Sequence, residues 1–370
     1  MGHILCYNIT MEKKNMTTET VPEQLTSILL NWYRKNARDL PWRHTRDPYC
    51  IWVSEIMLQQ TRVAAVLGYY ARILEAFPKI EDLAAAPEEQ LMKLWEGLGY
   101  YSRARNLQKT AKLIVEQGSF PDTYEELMKL PGVGDYTASA VAAIAFGRRE
   151  PAVDGNVLRV VTRITDCHDD ILDPKVKKRI RVQLQEIMPE SEADIRIFDQ
   201  SVMELGAIVC GPNGAPKCEI CPAAEICQSR KNGTSELLPV KKPKKDRRIE
   251  EKTVYVLLRD GQVALRRRED SGLLAGLWEF PNVEGTLAET DAPQAVADWG
   301  LESKAWKKKL TAKHIFTHVE WHMTGYVLEV SGEGPNDFVW VDLDGLKAHA
   351  VPSAFVRYYA EAQEQLEKGR

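Results

Sequence analysis

The spacing of apolar residues changes once along this chain, near residue 250, and that change calls for two domains of different class. Upstream the apolar positions follow a helical period: Leu25, Ile28, Leu29, Trp32 and Tyr33 mark one face of a helix ending near Asn36. The same pattern predicts helices over 51–66, 67–77, 88–96, 103–117, 123–129, 136–147, 155–165, 174–188 and 193–209, and no strand before residue 250. Downstream, Thr253-Val-Tyr-Val-Leu-Leu258 and Gln262-Val-Ala-Leu-Arg266 read as strands joined at Asp260-Gly261, a hairpin signal. Residues 321–330 and 337–341 read as a second pair of strands, with helices near 291–299 and 353–367. The expected organisation is a disordered leader over 1–20, an all-α region over 21–227, a linker over 228–252 and an α+β domain over 253–370. The linker reading rests on Pro239-Val-Lys-Lys-Pro-Lys-Lys-Asp-Arg-Arg248, a proline-broken basic run that would gain phosphate contacts along a duplex.

Charge narrows the function classes. The net charge is −4 with a pI near 6.1, which argues against a protein that coats nucleic acid without specificity. Residues 1–250 carry 35 Lys+Arg against 34 Asp+Glu, and residues 251–370 carry 14 against 19, so any nucleic-acid surface is a local patch on the first part. No apolar run is long enough to span a bilayer. Of seven cysteines, four crowd into Cys210-x7-Cys218-x2-Cys221-x5-Cys227. Four thiolates in one loop can ligate a [4Fe–4S] cluster or a single zinc. Zinc ribbons usually show two Cys-x2-Cys knuckles and this loop has one, which favours the cluster, in a structural role. Clustered thiols without a secretory signal point to the cytoplasm.

The stretch from Leu130-Pro-Gly-Val-Gly-Asp-Tyr136 to Pro151-Ala-Val-Asp154-Gly-Asn156 carries the chemistry. Pro131 fixes one φ, while Gly132 and Gly134 can take φ > 0, leaving the first N–H groups of the next helix free to meet a duplex phosphate. Asp154 stands at the expected start of a further helix, where the dipole and nearby N–H groups would keep it ionised. An ordinary N-cap is the plain alternative for such an aspartate, and an ordinary turn residue for Asn156.

A Leu-Pro-Gly-Val-Gly turn, a Val-Asp154-Gly-Asn loop and a four-cysteine loop together resemble the helix-hairpin-helix DNA glycosylases of the endonuclease III superfamily. The resemblance to the adenine glycosylases within it rests on Leu40-Pro-Trp-Arg43, on Trp52-Val-Ser-Glu-Ile-Met-Leu-Gln-Gln-Thr-Arg62, on Trp95-Glu-Gly-Leu-Gly-Tyr-Tyr-Ser-Arg103 and on Gly272-Leu-Leu-Ala-Gly-Leu-Trp-Glu-Phe-Pro281. It covers roughly residues 22–360.

This resemblance implies a six-helix barrel, a [4Fe–4S] loop held by Cys210, Cys218, Cys221 and Cys227, and a C-terminal Nudix-like domain. It also implies a monomer that acts on double-stranded DNA, removing adenine mispaired with 8-oxoguanine. Glycosidic cleavage calls for an acid and a carboxylate to face the sugar cation. Glu55, set among apolar neighbours, would be the acid, its pKa raised by burial, and Asp154 the carboxylate, oriented by Asn156. By the same resemblance Arg43, Trp42, Leu58 and Gln200 would line the pocket for the flipped adenine. Gln60 and Tyr100 would fill the vacated stack, Thr61 would contact the DNA beside them, and Phe316, Thr317 and His318 would read 8-oxoguanine.

Tyr136 stands where bifunctional lyases of the superfamily carry a lysine, so the expected reaction stops at base release, and its hydroxyl is expected near Asp154. Three further departures stand out. The segment after Glu279-Phe-Pro-Asn lacks the Arg-Glu-x-x-Glu-Glu helix of active Nudix enzymes, Thr317 replaces the family's usual serine, and seven residues rather than six separate Cys210 from Cys218. Two alternatives stay open on sequence: a lyase for oxidised pyrimidines and a non-catalytic iron–sulfur DNA-binding protein.

Overall fold

The computed structural model describes residues 20–242 and 246–368, and in it the chain is helical up to Asn232 and builds a sheet from Arg248. The expected leader lies, through residue 19, outside the described residues. In chain order the helices are α1 (Gln24–Asn36), α2 (Pro48–Leu58), α3 (Val63–Ala76), α4 (Ile80–Ala85), α5 (Glu88–Trp95) and α6 (Ser102–Gln117). They continue with α7 (Tyr124–Leu127), α8 (Asp135–Phe146), α9 (Gly155–Ile164), α10 (Pro174–Ile187), α11 (Glu192–Ile208) and α12 (Gln228–Asn232). Sequence explains the sharp starts. Asp47 accepts the Tyr49 N–H at 2.9 Å with Pro48 at the first helical position, and Asp173-Pro174 opens α10 in the same way. No helix among the described residues is long and apolar enough to cross a membrane.

Two expectations need correction here. The single helix over 51–66 is broken: α2 ends at Leu58, Gln60 takes φ +56°, and α3 begins at Val63. The last carbonyls of α2 bond to Arg103 instead of to a further turn. The segment read as a linker opens with α12 and a 3-10 turn over Ser235–Leu237, and strand β1 enters it at Arg248; its residues 243–245 lie outside the described residues.

Packing gathers the chain into two units. Among the described residues the first holds 20–39, 122–128 and 134–242, and the second holds 40–121, 129–133 and 246–368. In the first, α11 packs against α1, α8 and α9 around Leu25, Leu29, Val157, Val161, Phe198 and Leu205. Each such side chain contributes roughly 1.5–3 kcal/mol over an exposed one. The alanines and valine of α8 are all buried, as the small-residue run predicts. Asp135 at its first turn accepts hydrogen bonds from Tyr124 Oη (3.0 Å), Lys177 Nζ (2.6 Å) and Arg181 Nη1 (2.7 Å), which tie α7, α8 and α10 together.

The second unit joins α2–α6 to the C-terminal sheet. Its strands are β1 (Arg248–Arg259), β2 (Gln262–Arg267), β3 (Trp278–Glu279), β4 (Asn282–Glu284), β5 (Glu302–Ile315), β6 (Val319–Ser331) and β7 (Phe338–Val341). The order is β3-β2-β1-β6-β5, with β4 paired to β1 and β7 to β2. The β1–β2 hairpin turns at Asp260 (φ +49°) and Gly261 (φ +73°), as its Asp-Gly signal predicts. The strands at 321–330 and 337–341 are not partners: β6 runs parallel to β1 and β7 pairs with β2. The long strand β5 was not foreseen. Three more helices, α13 (Ala292–Asp298), α14 (Leu343–Ala348) and α15 (Val356–Lys368), belong to this domain. Tyr358 of α15 packs on the sheet at Gly325, where an added Cβ would stand 2.1 Å from its ring.

Candidate active site

Asp154 is the N-cap of α9 and also more than a cap. Its Oδ1 accepts the Val157 N–H at 2.8 Å, and its Oδ2 accepts Asn156 Nδ2 at 2.6 Å. Arg159, one turn on, donates Nη2 to Asn156 Oδ1 at 2.9 Å and to Gly206 O at 2.8 Å, and Nε to Cys210 O at 2.8 Å. Donors therefore surround the carboxylate as its position predicts, yet they do not decide its proton affinity. Burial pushes the Asp154 carboxyl above the ordinary aspartate value, opposed by the Val157 and Asn156 donors and by the Arg159 charge. Burial and the donors thus act on this carboxylate in opposite directions.

The turn before Asp154 is held from α11. Asp199, 1% exposed, accepts the Ala152 N–H at 3.0 Å. Gly206 lets α11 approach the start of α9, for an added Cβ would lie 2.8 Å from Asn156 Cβ. Neither residue carried a signal in the sequence, because each acts on a segment some fifty positions away.

Glu55 lies in α2 in the second unit, 5% exposed, on a helix whose Trp52, Val53, Ile56 and Met57 are buried with it. Trp42 is also buried and meets Tyr70 edge-on with centroids 5.2 Å apart; Arg43 follows it in a short 3-10 turn, and Leu58 ends α2. Gln200 lies on α11 in the first unit, its Oε1 accepting Tyr33 Oη at 3.1 Å and its Nε2 donating to Arg196 O at 2.7 Å. Tyr136, on the first turn of α8, donates its hydroxyl to Met203 Sδ at 3.2 Å.

The two hairpin glycines differ. Gly132 takes φ +74°, and an added Cβ would meet Asn106 Cβ at 2.6 Å, so only glycine fits there. Thr110 Oγ1 secures the same turn by donating to Pro131 O at 2.8 Å. Gly134 is instead extended, at φ −98°, as the N-cap of α8, with open space around it. A left-handed Gly134 is thus corrected; its smallness leaves the α8 N-terminus uncovered.

Within the second unit, Tyr100 is 45% exposed at φ +48°, and its hydroxyl lies 3.0 Å from Thr317 Oγ1. Thr317 and His318, both exposed, form the tip of the β5–β6 turn, which the Phe316 N–H closes onto Val319 O at 2.8 Å. Phe316 anchors that tip against Trp321, with centroids 4.9 Å apart. His314, two residues before Phe316, lies in β5. Thr61 Oγ1 donates to Gln59 O at 3.3 Å in the loop that presents Gln60.

Cys210, Cys218, Cys221 and Cys227 line one cavity with Arg163, Lys217 and Arg230. Arg163 Nη1 donates to Cys210 Sγ at 3.3 Å, and Cys227 Sγ to Arg163 O at 3.4 Å. Burial raises the Cys218 and Cys221 thiols, the latter to about 11, so a bound cation would have to supply the compensation for thiolates there. No set of three or more His, Cys, Asp or Glu among the described residues is gathered closely enough to hold a single metal ion. The donor set, four thiols spread around a cavity beside a guanidinium, suits a group with four separate attachment points.

Comparison with known proteins separates the helical part of the chain from the sheet domain. The model of the HhH-GPD superfamily base excision DNA repair proteins matches residues 53–189, and the NUDIX domain matches residues 253–361. The solved structure of a thermostable thymine-DNA glycosylase superposes with a TM-score of 0.50 at 29% identity, covering 57% of this chain and 96% of that one. The adenine DNA glycosylase of Buchnera aphidicola subsp. Baizongia pistaciae (strain Bp) is 34% identical, over 81% of this chain and 83% of its own. The adenine DNA glycosylase of Homo sapiens is also 34% identical, over 91% of this chain and 73% of its own. Identity sustained across both domains, and not in the helical part alone, is what decides the matter: the chain belongs to the adenine DNA glycosylase family.

Proposed function

We propose that this enzyme hydrolyses the N-glycosidic bond of adenine in duplex DNA where adenine is mispaired with 8-oxoguanine, and also with guanine, and that it stops at base release. The observation that carries this reading is the Asp154 carboxylate, fixed by Val157 N–H and Asn156 Nδ2 at the start of α9, in a chain whose relatives are adenine DNA glycosylases.

In this reading Glu55 gives its proton to the departing adenine as the C–N bond breaks, so the base leaves neutral. Asp154 stabilises or traps the sugar cation until water attacks, and Asn156 keeps its second oxygen in place. Arg43, Trp42, Leu58 and Gln200 receive the flipped base by stacking and edge hydrogen bonds. Gln60 and Tyr100 fill the vacated stack with Thr61 in contact with the DNA beside them, while Phe316, Thr317 and His318 read the opposing base. Gly132 and Gly134 leave the hairpin backbone open to a phosphate. Tyr136 offers no amine for a Schiff base.

Cys210, Cys218, Cys221 and Cys227 would hold a [4Fe–4S] cluster, with Arg163 donating to the Cys210 sulfur. When bound, such a cluster supplies a rigid cross-link of the 210–227 loop, not a redox step. Iron and acid-labile sulfide assays are expected to find both in the purified protein.

Single-turnover excision on otherwise identical duplexes tests the substrate. Adenine opposite 8-oxoguanine is expected to be released fastest, adenine opposite thymine not at all, and borohydride is expected to trap no covalent adduct. Equal rates opposite 8-oxoguanine and thymine would overturn the reading.

A further inference from the structure

Gln60 and Tyr100 stand on separate loops of the second unit, and both have left-handed backbone, at φ +56° and +48°. Such backbone is disfavoured for residues with a Cβ and persists only where the surroundings fix it. One side chain holds the carbonyl just before each of them. Arg103, in the first turn of α6 and 8% exposed, donates Nη1 to the carbonyls of Ile56 (2.9 Å), Met57 (2.8 Å) and Gln59 (2.7 Å). Its Nη2 donates to the carbonyls of Leu98 (3.2 Å) and Gly99 (3.0 Å) and to Thr61 Oγ1 (3.3 Å).

The guanidinium lies over the rings of Tyr100 and Trp95, 5.4 and 5.5 Å from their centroids. All six acceptors are neutral, so this buried cation is held by carbonyl dipoles and ring faces. Burial lowers its pKa to about 10, which leaves it charged at neutral pH. A charge of this kind is not spent on an ion pair; what it does is lock the geometry of two loops at once. Only a planar fork reaches acceptors on both sides. The three donors of a lysine radiate from one point and cannot.

We propose that Arg103 is the positioning residue for recognition of the mispair: it sets the Gln59–Thr61 and Leu98–Tyr100 loops in register so that Gln60 and Tyr100 enter the duplex together. The inference rests on the reading of those two residues as stack-filling. It predicts that Arg103 governs selectivity among duplexes more than general affinity, since phosphate contacts elsewhere carry the latter.

The test measures affinity of the full chain for a duplex with a non-cleavable adenine analogue opposite 8-oxoguanine and for a matched duplex, with folding followed by circular dichroism. Arg103→Lys is expected to cut the preference for the mispair at least about tenfold while matched-duplex affinity stays within about threefold. In a Gln60→Ala/Tyr100→Ala background the same change should alter the preference less than about twofold, because the tips it positions are gone. Equal losses in both backgrounds, or none in the parent, would overturn the proposal. If Gln60→Ala/Tyr100→Ala itself keeps the full preference, the stack-filling reading fails and this inference falls with it. Should Arg103→Lys not fold, Gly99→Ala reaches the same loop from its backbone: the added Cβ meets nothing within 4 Å, but φ +76° is strained by it. It is expected to give the same selective loss, and an unchanged preference would overturn the coupling of the loops.

Discussion

Each of the two units buries an arginine whose partners are mostly backbone carbonyls, and the two arginines serve different ends. Arg159 lies one side chain from Asp154: its Nη2 holds Asn156 Oδ1, and Asn156 holds the carboxylate. Arg103 touches no side chain assigned to the chemistry apart from Thr61 and the Tyr100 ring; it fixes the carbonyls that precede Gln60 and Tyr100 and those that end the helix of Glu55. A cation placed beside a side-chain relay tunes the electrostatics of a reacting group. One placed beside backbone carbonyls sets shape. The first arrangement should reveal itself in rates and pH profiles, the second in selectivity.

The largest expected effects lie at the carboxylates themselves. Glu55→Gln and Asp154→Asn are each expected to lower single-turnover excision by at least about 10²-fold, with duplex affinity within about threefold of the parent. Retained excision in either variant would remove that residue from the chemistry and with it the contrast between the two arginines. Next comes Gly206→Ala, which tests the first relay from outside. The added methyl meets Asn156 Cβ at 2.8 Å and Arg159 Nη2 at 3.3 Å, so Asn156 or α11 must shift. Overpacking of this kind costs about 1–3 kcal/mol. The melting temperature should fall and excision should slow, while the preference for a mispair over a matched duplex is retained. Loss of that preference would mean that the two functions are not divided as argued.

What the sequence disclosed, and what it did not, follows from how local each cause is. Asp47-Pro48, Asp173-Pro174 and Asp260-Gly261 act within two or three residues, and the last turns its hairpin as predicted. The break after Leu58 is different. Gln59-Gln60-Thr61 are compatible with a continuing helix, and what ends it is a guanidinium from forty-odd positions away. Strand β5 was hidden because it is a sheet edge. Lys304, Lys307, Lys308, Lys309 and Lys313 on it read as a solvated run, which is how an edge strand resists pairing with strangers. Gly132 and Gly134 look alike as letters, but only Gly132 meets a neighbour that excludes a Cβ. For Asp154 the capping role was legible, whereas the upward push of burial on its proton affinity depends on packing that no local pattern encodes.

That push leads to a subtler test of the relay. Asn156 donates to the charged form of Asp154 and so lowers a pKa that burial raises. Asn156→Ala removes one of the lowering influences, leaving those of the Val157 N–H and Arg159, so the folded-state pKa should rise further. Catalysis that needs the ionised carboxylate fails as pH drops through that pKa, so the acid limb of the excision profile should move to higher pH. Arg103→Lys should leave that limb where it is. A limb unmoved by Asn156→Ala would place the acid-side titration on another group.

The smallest effect is expected at Thr317, where the shape-setting side of the comparison can be probed by a single hydroxyl. Tyr100 Oη and Thr317 Oγ1 meet at 3.0 Å on an exposed surface, and a bond of this kind is worth about 0.5–1.5 kcal/mol. Thr317→Val keeps the branched shape and removes the bond. It should reduce the preference for the mispair by roughly two- to tenfold, with rates and the pH profile otherwise unchanged. Thr317→Ser keeps the bond without the methyl and should behave as the parent does. If Thr317→Ser falls while Thr317→Val keeps the preference, the methyl and not the hydroxyl is what the β5–β6 turn contributes. Recognition there would then rest on packing against the tip that Phe316 anchors, with Tyr100 held by Arg103 alone.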